Sequence, residues 1–441
     1  MGFRPGPGRP SDLTWLVTAG TVSSLGDGMT MVAAPMLATR LTNDPRQIAL
    51  VQIASALPWL TVGIAAAGLS DRFPRRRLMV VADLIRTAIL CGLALVAGSG
   101  ITRLWPVYLL LFLTGTARIV FDSAAQALMV DVVEADELER GNGLLFAGQS
   151  TATALVGPAC GAWFFTWSPW APFAVDALTF TLSAVLLTRL RLHTCPGLPP
   201  GRRATMSVRD MVEGFRFVSA TPMLRVMAIL LCSTSLANGM TSGIMVLYVR
   251  DILHLPEIFY GLLISSEAAG MVVGGLLSGR IVGRFGTGRP LRIAIVWLST
   301  STLLLAACPV PALVFVLCAT EGLALGIWGP ISLSVRQRLV PHELLGRTMA
   351  VYRIVAQVAL MAGTAAGGFL ATFFTLRTPL VLGGLLGGLV VVPLARHLSD
   401  ERLSLPGPSR PRLVGVDDHD GGVPPGRDAL PPEQVIPKPP G

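Results

Sequence analysis

The sequence predicts an all-α integral membrane protein, with twelve transmembrane helices in two pseudo-symmetric six-helix bundles. Three observations carry that prediction. Of 441 residues, 52% are hydrophobic and only 14% are charged, against roughly 25% charged in soluble proteins; mean hydropathy is +0.63. Twelve apolar runs are long enough to cross hydrocarbon, which takes about 20 residues each. The longest internal loop divides those runs six and six, and short motifs recur at matching places in the halves. A soluble chain of this length needs a polar surface that this composition cannot supply.

In order, the spans are 13–39, 47–69, 78–99, 104–130, 143–166, 170–190, 223–249, 257–282, 291–308, 311–334, 349–374 and 379–396. Trp167-Ser168-Pro169, Pro309-Val310 and Arg377-Thr378 leave three successive pairs almost no loop, so those helices must be antiparallel neighbours. Residues 1–12 form a Gly/Pro/Arg-rich cytoplasmic segment. It leads into a first span without a cleavage signature, expected to stay as a signal anchor. The N-terminal bundle is 13–190 and the C-terminal bundle 223–397. In the cytoplasmic loop 191–222 between them, Ser207-x-x-Asp210 forms a capping box. Val208, Met211, Val212, Phe215 and Val218 then recur at helical spacing, which predicts an amphipathic helix. Residues 398–441 are rich in Pro and Gly, cannot bury a core, and are expected to be a disordered cytoplasmic tail.

Orientation follows from arginine. Arg40, Arg46, Arg103, Arg250 and Arg377 are the only ones in the loops of one side. The other side carries Arg72, Arg75, Arg76 and Arg77, the cluster from Arg189 to Arg225, Arg280, Arg284, Arg289 and Arg292, and Arg336, Arg338 and Arg347. Both termini fall on that richer side, which places them in the cytoplasm. The net charge of +9 is thus spread over short membrane-flanking loops, and nucleic acid is not an expected partner. Of the six cysteines, none forms a C-x-x-C pair and five lie in apolar runs, so neither a disulfide framework nor a zinc site is indicated. There is no G-x-x-x-x-G-K-[ST] and no H-E-x-x-H. Enzyme chemistry and a built-in ATP motor have no motif to rest on, and the five histidines all lie in loops or the tail. An ion gradient is the expected energy source, with no cofactor and no metal.

The halves repeat. Asp71-Arg72-Phe73-Pro74 closes the second span and Gly283-Arg284-Phe285-Gly286 the eighth; Glu137-Leu138 precedes the fifth and Glu343-Leu344 the eleventh. Paired six-span halves are a layout of secondary transporters, with substrate handled between them. Ionisable groups inside spans sharpen the reading, because each costs roughly 2.5–3.5 kcal/mol or more at the bilayer centre. They are Asp27, Arg118, Asp122, Glu267 and Glu321, with Gln149, Asn238 and Gln357 as uncharged polar companions. Asp27 lies mid-span beside Gly28 and is expected to take and release a proton, or to form a switchable or permanent pair with Arg118. Glu267 and Glu321 suit proton carriage or recognition of a cation.

The stretch from Ala67 to Arg77, with Gly68, Asp71, Arg72, Arg75 and Arg76, resembles the loop signature G-x-L-x-D-R-x-G-R-R of the major facilitator superfamily. Ala67 and Pro74 stand where that signature has glycine. Gly157-Pro158-Ala159-Cys160-Gly161-Ala162 is similar to the G-P-x-x-G-G signature of the superfamily's proton antiporters, with alanine at the last place. Ala82, Asp83 and Arg86, and Pro172-Phe173-x-x-Asp176-Ala177, resemble the branch of enterobactin-type siderophore and macrolide exporters. The resemblance covers about residues 12–397. It implies a central cavity lined by spans 1, 2, 4, 5, 7, 8, 10 and 11, with 3, 6, 9 and 12 outside. On that implication Asp83 and Arg86 neutralise each other as an i, i+3 pair, and Asp176 is structural. The loop signature would latch the cytoplasmic side through Asp71, with Arg75 to Arg77 also read as a topogenic anchor. Gly157 and Gly161, small at i, i+4, allow close helix approach, and Pro158 bends its helix.

The expected function is proton-coupled export of a small apolar or amphiphilic organic molecule, such as a drug, macrolide or siderophore, by alternating access. An importer or uniporter, and more distantly a receptor or scaffold, are the alternatives. The expected partners are the lipid bilayer, a small-molecule substrate and protons. The protein is expected as a monomer in the cell membrane.

Overall fold

The computed structural model describes residues 12–62, 73–100, 103–132, 137–190 and 208–398. Among these, all regular structure is helical. The first half contains α1 (Asp12–Leu41), α2 (Pro45–Ala56), α3 (Arg75–Gly98), α4 (Trp105–Val132), α5 (Leu138–Ser150), α6 (Gly157–Trp167) and α7 (Ala171–Thr188). The second contains α8 (Val208–Ala220), α9 (Pro222–Ser242), α10 (Ile258–Phe285), α11 (Gly288–Ala307), α12 (Pro311–Leu339), α13 (His342–Phe373) and α14 (Thr378–Ala395). Gly68, Asp71, Arg72, Ser207 and the tail beyond 398 lie outside the described residues.

Nine helices among the described residues are long and apolar enough to cross a membrane. The expected spans that depart from that pattern do so for local reasons. α1 has the length but dilutes its apolar run with Ser23, Ser24 and Asp27. The second span pauses at Leu57, ahead of Pro58, and resumes as the short Pro58–Thr61 turn. The fifth is α5 and α6 joined by a widened helical turn, Thr151–Val156. Pro158 has no N–H to give to the turn before it, and a wide turn absorbs the mismatch. The seventh is among the nine as Pro222–Ser242, and beyond it the chain continues as Met245–Leu247 and a second wide turn, Tyr248–Ile252. Asp44 caps α2 by accepting from the Arg46 N–H at 2.9 Å, with Pro45 in the first turn. The Arg46 guanidinium on the same carboxylate holds Asp44 below the usual carboxylate range.

Packing repeats between the halves. α1 and α3 both pack on α7, as α9 and α11 both pack on α14; α3 meets α4 as α11 meets α12. Close contacts between bundles are α2 with α13, and α6 with α10. Matching the second span to the eighth and the fifth to the eleventh turns one of these contacts into the other. The interface is therefore itself two-fold. Within each bundle small residues allow the approach: a Cβ on Gly157 would stand 2.7 Å from the Gly28 Cα, and one on Gly161 2.6 Å from the Met29 Cα. On α13, Gly363 and Gly367 press in the same way on Leu236 and Met240 of α9.

The hydrophobic core is divided unequally along the membrane normal. Near the arginine-poor end a single core joins both halves, from Val32 to Ala38 of α1 with Ile48, Ile244 to Val249, Tyr260 and Leu263. Toward the arginine-rich end each bundle has its own core, around Met79, Phe121 and Leu187 in one and Leu291, Trp328 and Tyr352 in the other. The bundles are thus fused at one end and separate at the other.

The linker helix α8 docks on α13. Arg347 reaches Asp210 and Glu213 at 2.7 Å each, and Gly214 lies against the Arg347 carbonyl. Val218 is buried, while Val212 and Phe215 are exposed. The amphipathic helix therefore rides on the second bundle and turns an apolar edge outward.

Gly157→Val should unfold in detergent at lower temperature than wild type, since overpacking of this kind costs about 1–3 kcal/mol. A melting profile unchanged from wild type would mean that α1 and α6 can spread without cost.

Candidate functional site

Below the shared core, between the bundles, lies a cavity of about 320 Å³. That is the lower end of the range that takes drug-sized ligands, roughly 300–1,000 Å³. α1, α2 and α4 line it from one side, and α9 and α13 from the other. Asp27 and Arg118 supply its charge; Gln52, Thr114, Asn238 and Ser242 are polar; Met31, Trp59, Leu111 and Met361 are apolar. Methionine is unbranched and polarisable, so such a wall adapts to ligands of different shape. Arg353 of α13 stands 4.9 Å from the Trp59 ring, joining the bundles beside the cavity.

Asp27 anchors an ion network. Arg86 of α3 is completely buried, and its Nη2 donates to Asp27 Oδ1. Its Nη1 donates to Ser23 Oγ at 2.9 Å and Asp83 Oδ1 at 3.3 Å, and the Phe180 ring centroid lies 3.7 Å from the guanidinium. The second Asp27 oxygen faces Arg118 Nε at 3.7 Å, and Arg118 reaches Asp122 at the same separation. A guanidinium out of water persists only where carboxylates and hydrogen bonds surround it.

The expected i, i+3 pair of Asp83 and Arg86 forms, but Arg86 is not confined to it. Arg86 is the nearest cation to Asp27, ahead of Arg118. Its long side chain reaches across from α3 to α1, so a helix that does not line the cavity still supplies a charge to it. Ser23, whose hydroxyl donates to Asp83 at 3.4 Å, and Thr30, which donates to Asp176, complete the cluster. The sequence reading missed both; their spacing from Asp27, one turn before and after, places all three on one face of α1.

The remaining polar residues spread out. Asp27, Arg118 and Asn238 line the cavity, and Asp122 joins through Arg118. Gln149 of α5 sits beside Gly20 of α1, outside the lining. Gln357 and Glu267 are also outside the lining. Glu321 lines a separate pocket of about 30 Å³ with Thr234, Ser299 and Thr302. Asn238 borders both spaces, and Glu267 is near enough to Glu321 for their charges to interact.

Gly157 and Pro158 abut the network from behind. Gly157 lies on Gly28, the residue after Asp27, and Pro158 presents its carbonyl to Gly261 of α10. The motif thus sits where α1, α6 and α10 meet. Arg75 and Arg76 act inside the first bundle: Arg75 Nη1 donates to the Ala127 carbonyl at 2.8 Å, and Arg76 Nε to Leu187 at 2.9 Å. Arg76 so caps the C-terminus of α7, where a cation is favoured.

Polar contacts cross between bundles at the arginine-poor end. Arg40 pairs with Glu257 at 3.0 Å, Arg250 donates to Asn43 at 3.1 Å, and Thr372 to Asp44 at 3.2 Å. Nearer the cavity, Gln52 and Ser242 exchange two hydrogen bonds of 3.3 Å. They close the cavity on that side.

Two helical bundles with a charged cavity between them, closed at one end, make the protein an alternating-access membrane transporter of the major facilitator fold rather than an enzyme. A family model described as transmembrane secretion effector matches residues 6–403, and the chain belongs to that major facilitator family. It is 29% identical over 409 residues to the multidrug efflux pump Tap of Mycolicibacterium fortuitum, covering 88% of this chain and 97% of that protein. It is 23% identical over 384 residues to macrolide efflux protein A of Streptococcus pyogenes, covering 85% and 92%. Its fold matches that of a bacterial homologue of the human lysosomal transporter Spinster, solved inward-facing and unoccupied, with a TM-score of 0.67 at 16% identity over 90% of this chain and 98% of that one.

Asp27→Asn should lower thermal stability far more than Asp122→Asn. The first strips a fully buried guanidinium of its nearest carboxylate, a loss of about 3–5 kcal/mol. The second relieves Arg118, which is 37% exposed and can turn to water. Equal melting shifts for the two variants would remove Arg86 from the centre of the network.

Proposed function

We propose that the protein exports a small apolar or amphiphilic organic molecule, of the drug or macrolide kind, from the cytoplasm in exchange for protons. The observation that carries this reading is the Asp27–Arg86–Arg118 network at the wall of a largely apolar cavity between two bundles. The apolar wall suits the cargo, and ionisable groups at membrane depth suit the coupling ion. The names of the relatives, a multidrug efflux pump and a macrolide efflux protein, support the direction and the cargo class. The arginine bias supports placing both termini and the split end of the bundles in the cytoplasm. With that sidedness the conformation is inward-facing, ready to load cargo from the cytoplasm.

In this mechanism 13–190 and 223–397 are the two rocking bodies, joined by 191–222, and one copy of the chain suffices. Cargo enters from the cytoplasmic side and lies against Asn238, Gln52 and the methionines. A proton taken by the acid cluster at Asp27 competes with loading, and its release into the cytoplasm resets the carrier. Glu267 and Glu321 form a second acidic site, reached from the cavity past Asn238. The contacts of Arg40, Arg250 and Thr372 form the outer gate and must break for release. By the loop signature, Gly68, Asp71 and Arg72 act as a cytoplasmic latch, and Arg75 and Arg76 hold α3 to the first bundle. No cofactor is required beyond the proton gradient.

Direction is tested in inverted membrane vesicles energised with a pH gradient. A radiolabelled macrolide should accumulate inside them and leave when the gradient is collapsed. Accumulation only in right-side-out vesicles would mean an importer, and flux indifferent to the gradient a uniporter.

The outer gate has its own test. A Cβ on Gly243 would lie 3.5 Å from the Ala49 Cβ across the bundle interface, within the range a disulfide spans, about 3.5–4.5 Å. In a background lacking native cysteines, Ala49→Cys with Gly243→Cys should form a disulfide that stops transport and yields to a reductant. Full transport in the oxidised protein would show that this end need not open.

A further inference from the structure

Asp176 is the acid in the network that no arginine holds. Four carboxyl groups, Asp27, Asp83, Asp122 and Asp176, gather around two guanidinium groups, Arg86 and Arg118. Asp27, Asp83 and Asp122 each have a direct ion pair with one or both of them. Asp176 instead receives hydroxyls: Thr30 donates to its Oδ2, and Thr179 lies 3.3 Å from its Oδ1. Its side chain is completely buried. The charged groups that bear on it are Asp27 of α1 and Arg86 of α3, and Arg86 is already committed to Asp27 and Asp83. Arg118 and Asp122 are partly exposed, which leaves Arg86 among Asp27, Asp83 and Asp176 in the dry part of the cluster. One cation cannot balance three anions there, so that part must hold protons. The carboxyl without an ion pair is where a proton costs least to keep.

The carboxyl also has a route to the cavity. Thr30, whose hydroxyl donates to Asp176, lines the central cavity. One hydroxyl therefore stands between a fully buried carboxyl and the space where cargo binds. Gly26 and Thr179 close the other sides, since a Cβ on Gly26 would run into both Asp176 and Thr179.

We propose that Asp176 carries the transported proton, reached from the cavity through the Thr30 hydroxyl, while Asp27 remains the fixed counter-ion of Arg86 and Arg118. The step balances simply. A hydronium ion in the cavity gives a proton to the Thr30 oxygen, Thr30 passes its own proton to the Asp176 carboxylate, and water is left behind. Cargo binding drives the reverse transfer, because α1 carries both the cavity wall and the donor to Asp176. Movement of α1 on loading withdraws Thr30 and opens the carboxyl to Arg86. The site thus moves one helix outward from Asp27, onto a helix that contributes nothing to the cavity wall.

This inference rests on the proton-exchange reading, and the experiment separates the two. Purified protein in weakly buffered detergent is mixed with a macrolide while a pH dye follows proton release. Wild type should release protons on binding and bind more weakly as pH falls. Asp176→Asn, which matches the protonated acid in shape and keeps an acceptor for Thr30, should bind with no proton release and a flat pH profile. Wild type should also show the infrared band of a protonated carboxylic acid, absent from Asp176→Asn. Thr30→Val should slow gradient-driven flux, and Thr30→Ser should restore it. Proton release and pH dependence in Asp176→Asn equal to wild type would overturn the assignment. If wild type itself shows no macrolide-linked release, the exchange reading fails, and the infrared band alone decides whether Asp176 holds a proton. Should Asp176→Asn fail to fold, the Thr30 pair decides: equal flux in Thr30→Val and Thr30→Ser overturns the relay.

Discussion

The structure is organised around one arginine out of reach of water. Arg86 is large, permanently charged and completely buried, so its neighbours have to supply everything that water would. Asp27, Asp83 and Ser23 accept hydrogen bonds from its two terminal nitrogens and Phe180 covers its face, while the buried Nε is left without a hydrogen-bond partner. These partners come from α1, α3 and α7, and holding them together fixes how those helices cross. Gly28 and Gly157 then become necessary, because α1 cannot both meet Arg86 and clear α6 with a side chain between them. The proline beside Gly157 and the wide turn before it belong to the same arrangement. A charge that would be prohibitive on a lone helix becomes the fixed point of a bundle.

That fixed point lies in one bundle, and among the described residues the second has no fully buried arginine. The packing scheme is two-fold, yet the chemistry is not: the first half carries the fully buried Arg86 with its carboxylates, and the second carries Glu267 and Glu321 near a small polar pocket. Small residues repeat where helices touch, at Gly157 and Gly161 and again at Gly363 and Gly367. Close-packing positions recur in both halves, while the buried ion cluster is concentrated in one. A two-fold interface between α2 and α13, and between α6 and α10, lets the halves tilt without changing which helices meet. Closure at the arginine-poor end rests on a shared apolar core reinforced by half-exposed polar pairs. Exposed pairs of this kind are worth about 0–1 kcal/mol each, so breaking them adds little to the cost of parting the core.

The sequence by itself determined the class of protein, and did so through solvation. Apolar runs of sufficient length have few stable places outside a membrane, and arginine counts order the loops between them; the family followed from motifs around Asp71 and Gly157. The amphipathic linker helix was legible from its period, and Asp27, Arg118 and Asn238 from the cost of polarity at that depth. Only the tertiary structure decided who pairs with whom. Arg86 and Asp83 are three residues apart in sequence and do pair, as that spacing suggests, yet Arg86 also reaches Asp27 on another helix. Asp176 and Thr30 are far apart along the chain and meet because α1 packs on α7. Spacing reports neighbours within one helix, where contacts are local and periodic. Partners across helices depend on rotation and crossing angle, which are set by the sum of many packing contacts and written at no single position.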